Sequence, residues 1–186
     1  KIMKSEKIIA IITGPSAVGK STIAKEVLKR LKNFKPSTTY TTRPKRKEAE
    51  DKIMYNISEA EFKEKIDNNE FIEWAHFYGN FYGSDKKAVE EGLKTNNILM
   101  NIDVEGATII KKKIDNNVSI FILPGSIKKI KERMDKRNMP EPMKKLRLKR
   151  AKEEIDQASN FDHQIINYDG KLEQTVDKVV KILERY

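Results

Sequence analysis

The octapeptide GPSAVGKS, Gly14 to Ser21, has the spacing G-x-x-x-x-G-K-[ST] and lies between the apolar run KIIAIIT (7 to 13) and a segment of helical periodicity. Glycines at those positions let the backbone turn so that successive N–H groups face one phosphate-sized hollow, and the start of the helix adds partial positive charge. Lys20 has the reach for the outer phosphates, and the Ser21 hydroxyl has the chemistry of an Mg2+ ligand bridging them. The pattern points to a nucleoside triphosphate bound with Mg2+. It leaves open whether the acceptor is water, another phosphate or a change of protein shape.

A second concentration of chemistry is FIEWAHFYGNFYGS, residues 71 to 84, which holds the only tryptophan, five other aromatics, two glycines and the carboxylate Glu73. A carboxylate among apolar rings needs a partner to offset its desolvation. Composition alone also allows a rim carboxylate beside ordinary core aromatics.

These residues need elements to position them. Four runs rich in isoleucine, valine and leucine predict buried strands: KIIAIIT, NILMNID (97 to 103), VSIFIL (118 to 123) and HQIIN (163 to 167). Helical spacing lies between or after them, with Ile23, Val27, Leu28 and Leu31 on one face, then Ile127, Ile130 and Met134, and finally Leu172, Val176, Val179 and Leu183. Strands alternating with helices predict an α/β fold whose parallel sheet is covered on both sides. Two stretches break the rhythm. From about Pro36 to Ser84 there is no long apolar strand, and SEAE at 58 to 61 has the capping-box pattern that opens a helix through Phe62 and Ile66. From Arg133 to Arg150 the chain is strongly basic, and Pro140 and Pro142 mark a loop between two helices, the composition of a mobile lid.

Whole-chain properties narrow the classes. The 186 residues suit one sizeable core rather than two independent domains. Zero cysteines exclude disulfides and thiolate metal sites, and two separated histidines, His76 and His163, argue against a transition-metal centre. The formal charge of +10 favours anionic partners, yet many of the lysines sit in helical stretches interleaved with acids and no nucleic-acid motif accompanies them. No apolar run approaches the ~20 residues of a membrane span, and Lys1 to Lys7 lacks a signal-peptide layout. The expectation is a soluble, cytoplasmic protein, a monomer or weak homo-oligomer, bound to neither nucleic acid nor membrane.

From Ile8 to Leu183 the chain closely resembles the guanylate kinases, through ordered motifs: GPSAVGKST, TTRPKR (41 to 46), EFIEWAHFYGNFYGS (70 to 84), IDVEGA (102 to 107), RMDKR (133 to 137), RLKRAKEEI (147 to 155) and IIN (165 to 167). The resemblance implies a P-loop NTPase-type three-layer fold in a single domain. Its core would be 1–36, 85–132 and 151–186, its GMP-binding lobe about 37–84 and its lid about 133–150. It implies the reaction of MgATP with GMP, and with dGMP, to give ADP and the nucleoside diphosphate. Guanine carries two adjacent donors that one carboxylate matches, so Glu73 would read the base inside a wall of Trp74, Phe77 and Phe81. Thr39 and Ser84 match the hydroxyl positions beside it. Arg43, Arg46, Tyr55 and Tyr82 would hold the GMP phosphate. The catalytic set would be Lys20, Arg43, Arg133 and Arg147. ATP would contact Gly14, Pro15, Ser16, Ala17, Val18, Gly19, Lys20, Ser21, Thr22, Arg137 and Asn167. Asp103 fits a water-mediated contact to Mg2+ or to the GMP site, which with Ser21 completes the metal set, and Asn167 matches the position whose amide or backbone faces adenine.

The chain departs from the family pattern in places. Thr39 replaces a usual serine, and Asn101 and Glu105 stand where an acid and a glutamine are common. Ala17 replaces a glycine, which a negative φ would tolerate. The segment KEAEDKIMYNIS is one residue short, so Tyr55, chosen for its YNI context, gives way to Met54 if the deletion lies earlier. Two other readings compete: a kinase of a related acceptor such as ribose 1,5-bisphosphate, and a non-catalytic guanylate-kinase-like binding module.

Overall fold

Apolar runs without alternation can be buried on both faces, and β1 (Ile9–Thr13) does this with all five residues buried. The computed structural model describes residues 7–44 and 54–186. After β1 come α1 (Lys20–Arg30), β2 (Phe34–Pro36), β3 (Thr39–Thr41), β4 (Met54–Asn56), α2 (Glu59–Asp67), β5 (Phe71–Phe77), β6 (Asn80–Asp85) and α3 (Lys86–Gly92). The remainder is β7 (Asn97–Asn101), α4 (Val104–Lys113), β8 (Asn117–Pro124), α5 (Ile127–Lys136), α6 (Glu141–Ile155), β9 (His163–Asn167) and α7 (Leu172–Leu183).

Five strands form a parallel sheet in the order β2-β7-β1-β8-β9. Ala10 and Ile12 face α1 and α7 through Ile23, Val27, Val176, Val179 and Leu183. Ile9 and Ile11 face the other layer, where Val89 and Leu93 of the α3 region join Ala107 and Ile110 of α4. The predicted parallel sheet and its helical cover are therefore present, with one strand more than the four apolar runs. That strand, β2, is only three residues long and ends on Pro36 at the sheet edge, where a missing N–H costs no ladder bond.

A second sheet, order β4-β3-β6-β5, occupies the stretch in which no long apolar strand is legible. Its longest strand, β5, alternates buried Glu73 and Ala75 with exposed Trp74 and His76, a pattern of mixed polarity. The capping box at the start of α2 forms: Ser58 Oγ accepts from Glu61 N at 3.2 Å, and Glu61 Oε2 accepts from Ser58 N at 2.7 Å. Phe62 then stacks on Phe71 and Phe81, with centroids 4.5 and 5.2 Å away, which seals one face of the second sheet. At the basic excursion Pro140 caps α6 and Pro142 lies in its first turn, so α5 and α6 are both helical and the loop between them is short. Among the described residues no helix is long and apolar enough to cross a membrane.

Candidate active site

The phosphate loop joins the C-terminal end of β1 to the N-terminus of α1. Gly14 has φ +138° and Gly19 has φ +104°, and a β-carbon on Gly14 would stand 2.3 Å from the Ile122 carbonyl oxygen. No side chain caps α1, and its first turn carries no acid, so its leading N–H groups are left for an anion. Ala17 does not meet the condition of negative φ: it sits at +64°, a left-handed conformation that costs about 1–2 kcal/mol for a residue with a β-carbon. Its methyl is buried with Ile130, Met134 and Ala151, which returns about 0.8 kcal/mol, and its carbonyl accepts from Arg133 at 3.1 Å. Lys20 Nζ donates to the carbonyls of Gly14 at 2.6 Å and Pro15 at 3.0 Å. Burial pushes the Lys20 pKa down, against the opposing pull of Glu154 and Asp103.

Arginines from α5 and α6 close on this loop. Arg133 Nη1 donates to the Val18 carbonyl at 2.9 Å, and its Nη2 pairs with Asp169. Arg147 Nη1 donates to Ser16 Oγ at 3.1 Å, while its buried Nε finds no hydrogen-bond partner among the described residues. Arg137, at the end of α5, is pushed down by burial and by the positive charges of Arg147, Arg133 and Arg43. Cations gathered this closely oppose one another until an anion lies between them. Thr22 and Gly19 extend the loop towards an adjoining cleft bounded by Arg133, Arg137 and Asn167. The Asn167 amide is not open to a base there. Its Nδ2 donates to the Val18 carbonyl at 2.9 Å and its Oδ1 accepts from Thr175 Oγ1 at 3.0 Å, so the amide tethers the loop to α7, which leaves the backbone alternative of the expected adenine contact.

The second sheet supplies the opposite wall of the same cavity. Glu73 is 4 % exposed, and Ser84 Oγ, its cross-strand neighbour, donates to Glu73 Oε1 at 2.6 Å. Burial raises the Glu73 pKa to about 7; the Ser84 hydrogen bonds and Lys113 pull it down, while Asp103 pushes it further up. Thr39 pairs with Ser84 across β3 and β6 and lines the cavity with Glu73. Gly106, inside α4, leaves room for the carboxylate: a β-carbon there would stand 2.6 Å from Glu73 Oε2 and displace it.

Strand alternation corrects two expectations on this wall. Successive side chains point to opposite faces, so Trp74 and Phe81 pack away from Glu73, with Phe81 4.2 Å from the ring of His76. Of the expected wall only Phe77 lines the cavity with Glu73, stacked on Tyr82, 4.4 Å apart at 7°. By the same alternation Met54, paired with Thr39, lines the cavity, whereas Tyr55 is 51 % exposed on the other face, 5.4 Å from the ring of Tyr40. Tyr55 therefore does not take the phosphate-tyrosine position. Arg43 lines the cavity, its N–H donating to Thr41 Oγ1 at 3.1 Å; Arg46 lies outside the described residues.

For a metal, the described residues contain no cluster of three or more His, Cys, Asp or Glu side chains. Asp103 Oδ1 caps α4, accepting from Glu105 N at 2.8 Å and Gly106 N at 3.1 Å, while Asp103 and Ser21 line one cavity and Asn101 Nδ2 donates to Ser21 Oγ at 3.0 Å. One carboxylate and one hydroxyl beside a phosphate site suit Mg2+, which keeps most of its shell as water and phosphate oxygen.

The cavity also contains residues beyond those read from the sequence. Arg150 Nε donates to Glu154 Oε1 at 2.9 Å, and its guanidinium lies 4.8 Å from the Phe77 ring. Glu154 is 7 % exposed, with its pKa raised by burial. The signal for them was available in RLKRAKEEI, where Arg147, Arg150 and Glu154 recur at helical spacing on one face.

Comparisons with known proteins agree on one family. The family model described as guanylate kinase matches residues 6–186. The chain is 42% identical to a guanylate kinase of Prochlorococcus marinus subsp. pastoris, over 98% of this chain and 100% of that protein. It is 40% identical to a guanylate kinase of Thermotoga maritima, over 93% of this chain and 84% of that one. The crystal structure of guanylate kinase from Anaplasma phagocytophilum superposes with a TM-score of 0.80 at 31% identity, covering 98% of this chain and 87% of the other.

Proposed function

The chain belongs to the guanylate kinase family, and from that premise we propose how its cavity carries out ATP-dependent phosphorylation of GMP. The observation that supports the reading best is the placing of a buried carboxylate, Glu73, and the loop lysine, Lys20, on one cavity. The acceptor's N1–H and 2-amino groups donate to the Glu73 carboxylate, which Ser84 orients, while Thr39 offers a further hydroxyl. Adenine has no such donor pair, so AMP leaves the carboxylate buried and unmatched. Arg43 and Tyr82 hold the acceptor phosphate, with Arg46 as a further donor, and dGMP meets the same groups because none of them reads the ribose 2′-hydroxyl.

ATP lies with its phosphates along residues 14–22. An oxygen of the GMP phosphate bonds to the γ-phosphorus as the bond to the β,γ-bridging oxygen breaks, and that oxygen leaves on ADP. Lys20, Arg133, Arg137 and Arg147 balance the charge spread over the transferring group. Ser21 and Asp103 would hold Mg2+, which would neutralise charge on the ATP phosphates. Residues 37–84 serve as the acceptor lobe and residues 133–150 as a lid that excludes water. Lys20, Ser21 and the basic lid weigh against a non-catalytic binding module, and the Glu73–Ser84 pair favours a base-bearing acceptor over ribose 1,5-bisphosphate. An ADP-release assay with GMP, dGMP, AMP, UMP and ribose 1,5-bisphosphate tests the reading. GMP should be used far better than AMP; equal rates would remove Glu73 from base recognition.

A further inference from the structure

The turn between β5 and β6 is held in an unfavourable conformation by a bulky residue. Phe77 pairs directly with Asn80, leaving Tyr78 and Gly79 as a two-residue loop, and their φ values are +53° and +73°. Positive φ at both loop residues is the requirement of a type I′ turn, which Asn-Gly meets at low cost. Tyrosine at the first position is an outlier for a large side chain, and such strain persists only where the surroundings impose it. Gly79 is open, with nothing within 4 Å of where its β-carbon would stand, so crowding does not account for the turn.

The Tyr78 ring faces α6. The Arg147 guanidinium carbon lies 4.5 Å from its centroid and that of Arg150 lies 5.6 Å away, while Arg150 also covers Phe77 at 4.8 Å. From beneath this ring Arg147 reaches Ser16 Oγ in the phosphate loop at 3.1 Å. The ring thus stands on the acceptor sheet, while the cation it carries touches the donor loop. Apart from this cation–π support, the described bonds of Arg147 consist of the one to Ser16, and its Nε is unpartnered.

We propose that Tyr78 is a positioning residue for phosphoryl transfer, whose ring, held up by a strained turn at the tip of the acceptor sheet, sets the Arg147 guanidinium on the transferring phosphate. The inference rests on the reading of the cavity as an ATP–GMP transfer site. Binding of GMP and of ATP uses other groups, so the ring acts on turnover and not on occupancy. The arrangement also ties the two substrates together, because displacement of the acceptor sheet moves the platform on which Arg147 lies.

The test is steady-state kinetics and thermal melting of wild type, Tyr78→Asn and Tyr78→Phe. Tyr78→Asn installs the favoured Asn-Gly turn and removes the ring. Its kcat should fall about tenfold to a hundredfold, with KM for GMP and for ATP changed by less than about twofold. Its melting temperature should hold or rise, by up to about 4 °C, because the strain is released. Tyr78→Phe, which retains the ring, should recover most of the lost turnover. An unchanged kcat in Tyr78→Asn would overturn the proposal. So would loss of both turnover and melting temperature, which would reduce the tip to a packing element. A wild-type chain inactive towards GMP would instead overturn the underlying reading of the cavity.

Discussion

Ser84 Oγ donates a 2.6 Å hydrogen bond to Glu73 Oε1, and this pair, on adjacent antiparallel strands, is buried at the wall of the cavity that also contains Lys20. One oxygen of the carboxylate is thereby occupied by a neutral donor, and burial keeps the group protonated up to about pH 7. Between the ordinary value of 4.5 and about 7 the folded chain holds a proton that the unfolded chain has released. Stability from this group is therefore complete below pH 4.5 and is lost as pH rises through 7, a total of roughly 3 kcal/mol. Asp103 adds to the effect and Lys113 opposes it. Melting of the nucleotide-free protein across this range should show the decline, and Glu73→Gln should flatten it.

The same titration bears on recognition. Paired N–H donors require the carboxylate form, so KM for GMP should fall as pH rises through about 7 and then level. KM for ATP should lack that inflection. A flat GMP profile would detach Glu73 from the base.

Gly106→Ala should separate fold from specificity. Alanine is favoured over glycine inside a helix by about 1 kcal/mol, but its β-carbon would press on Glu73 Oε2. The carboxylate is the free end of a side chain and gives way more readily than backbone. The expected outcome is an intact melting curve with KM for GMP raised about tenfold and KM for ATP little altered, measured by coupled ADP release.

Lys20→Ala should lower kcat by about two orders of magnitude or more. Lys20 Nζ is bonded to two loop carbonyls and, among the described residues, to no buried carboxylate, so the melting temperature should shift only modestly. Near-normal turnover would take Lys20 out of the transfer step.

Tyr55→Phe should leave KM for GMP within about twofold, because that hydroxyl lies on the far face of the second sheet. Tyr82→Phe, on the cavity face, should raise it several-fold. The opposite ranking would mean that β4 is shifted by one residue.

What the sequence by itself determined is what contiguous residues dictate. GPSAVGKS carries its own geometry because the turn, the glycines and the helix start follow one another. The apolar faces of α1, α5 and α7 follow from helical spacing, and Ser58 with Glu61 forms its capping box within four residues. The second sheet was less legible because β3 and β4 are three residues each and β5 mixes polarity. Only the tertiary structure decided which face each of its side chains takes. In a strand, one residue of register inverts that choice, so Met54 and not Tyr55 enters the cavity, and of the expected rings Phe77 stays beside Glu73 while Tyr82 takes the place of Trp74 and Phe81. The partners of Glu73 and Tyr78 come from the same source: Ser84 is opposite Glu73 through strand pairing, and Arg147 is far from Tyr78 in the chain but stacked on it in space. No periodicity encodes such contacts, since they exist only after the sheets and helices have packed.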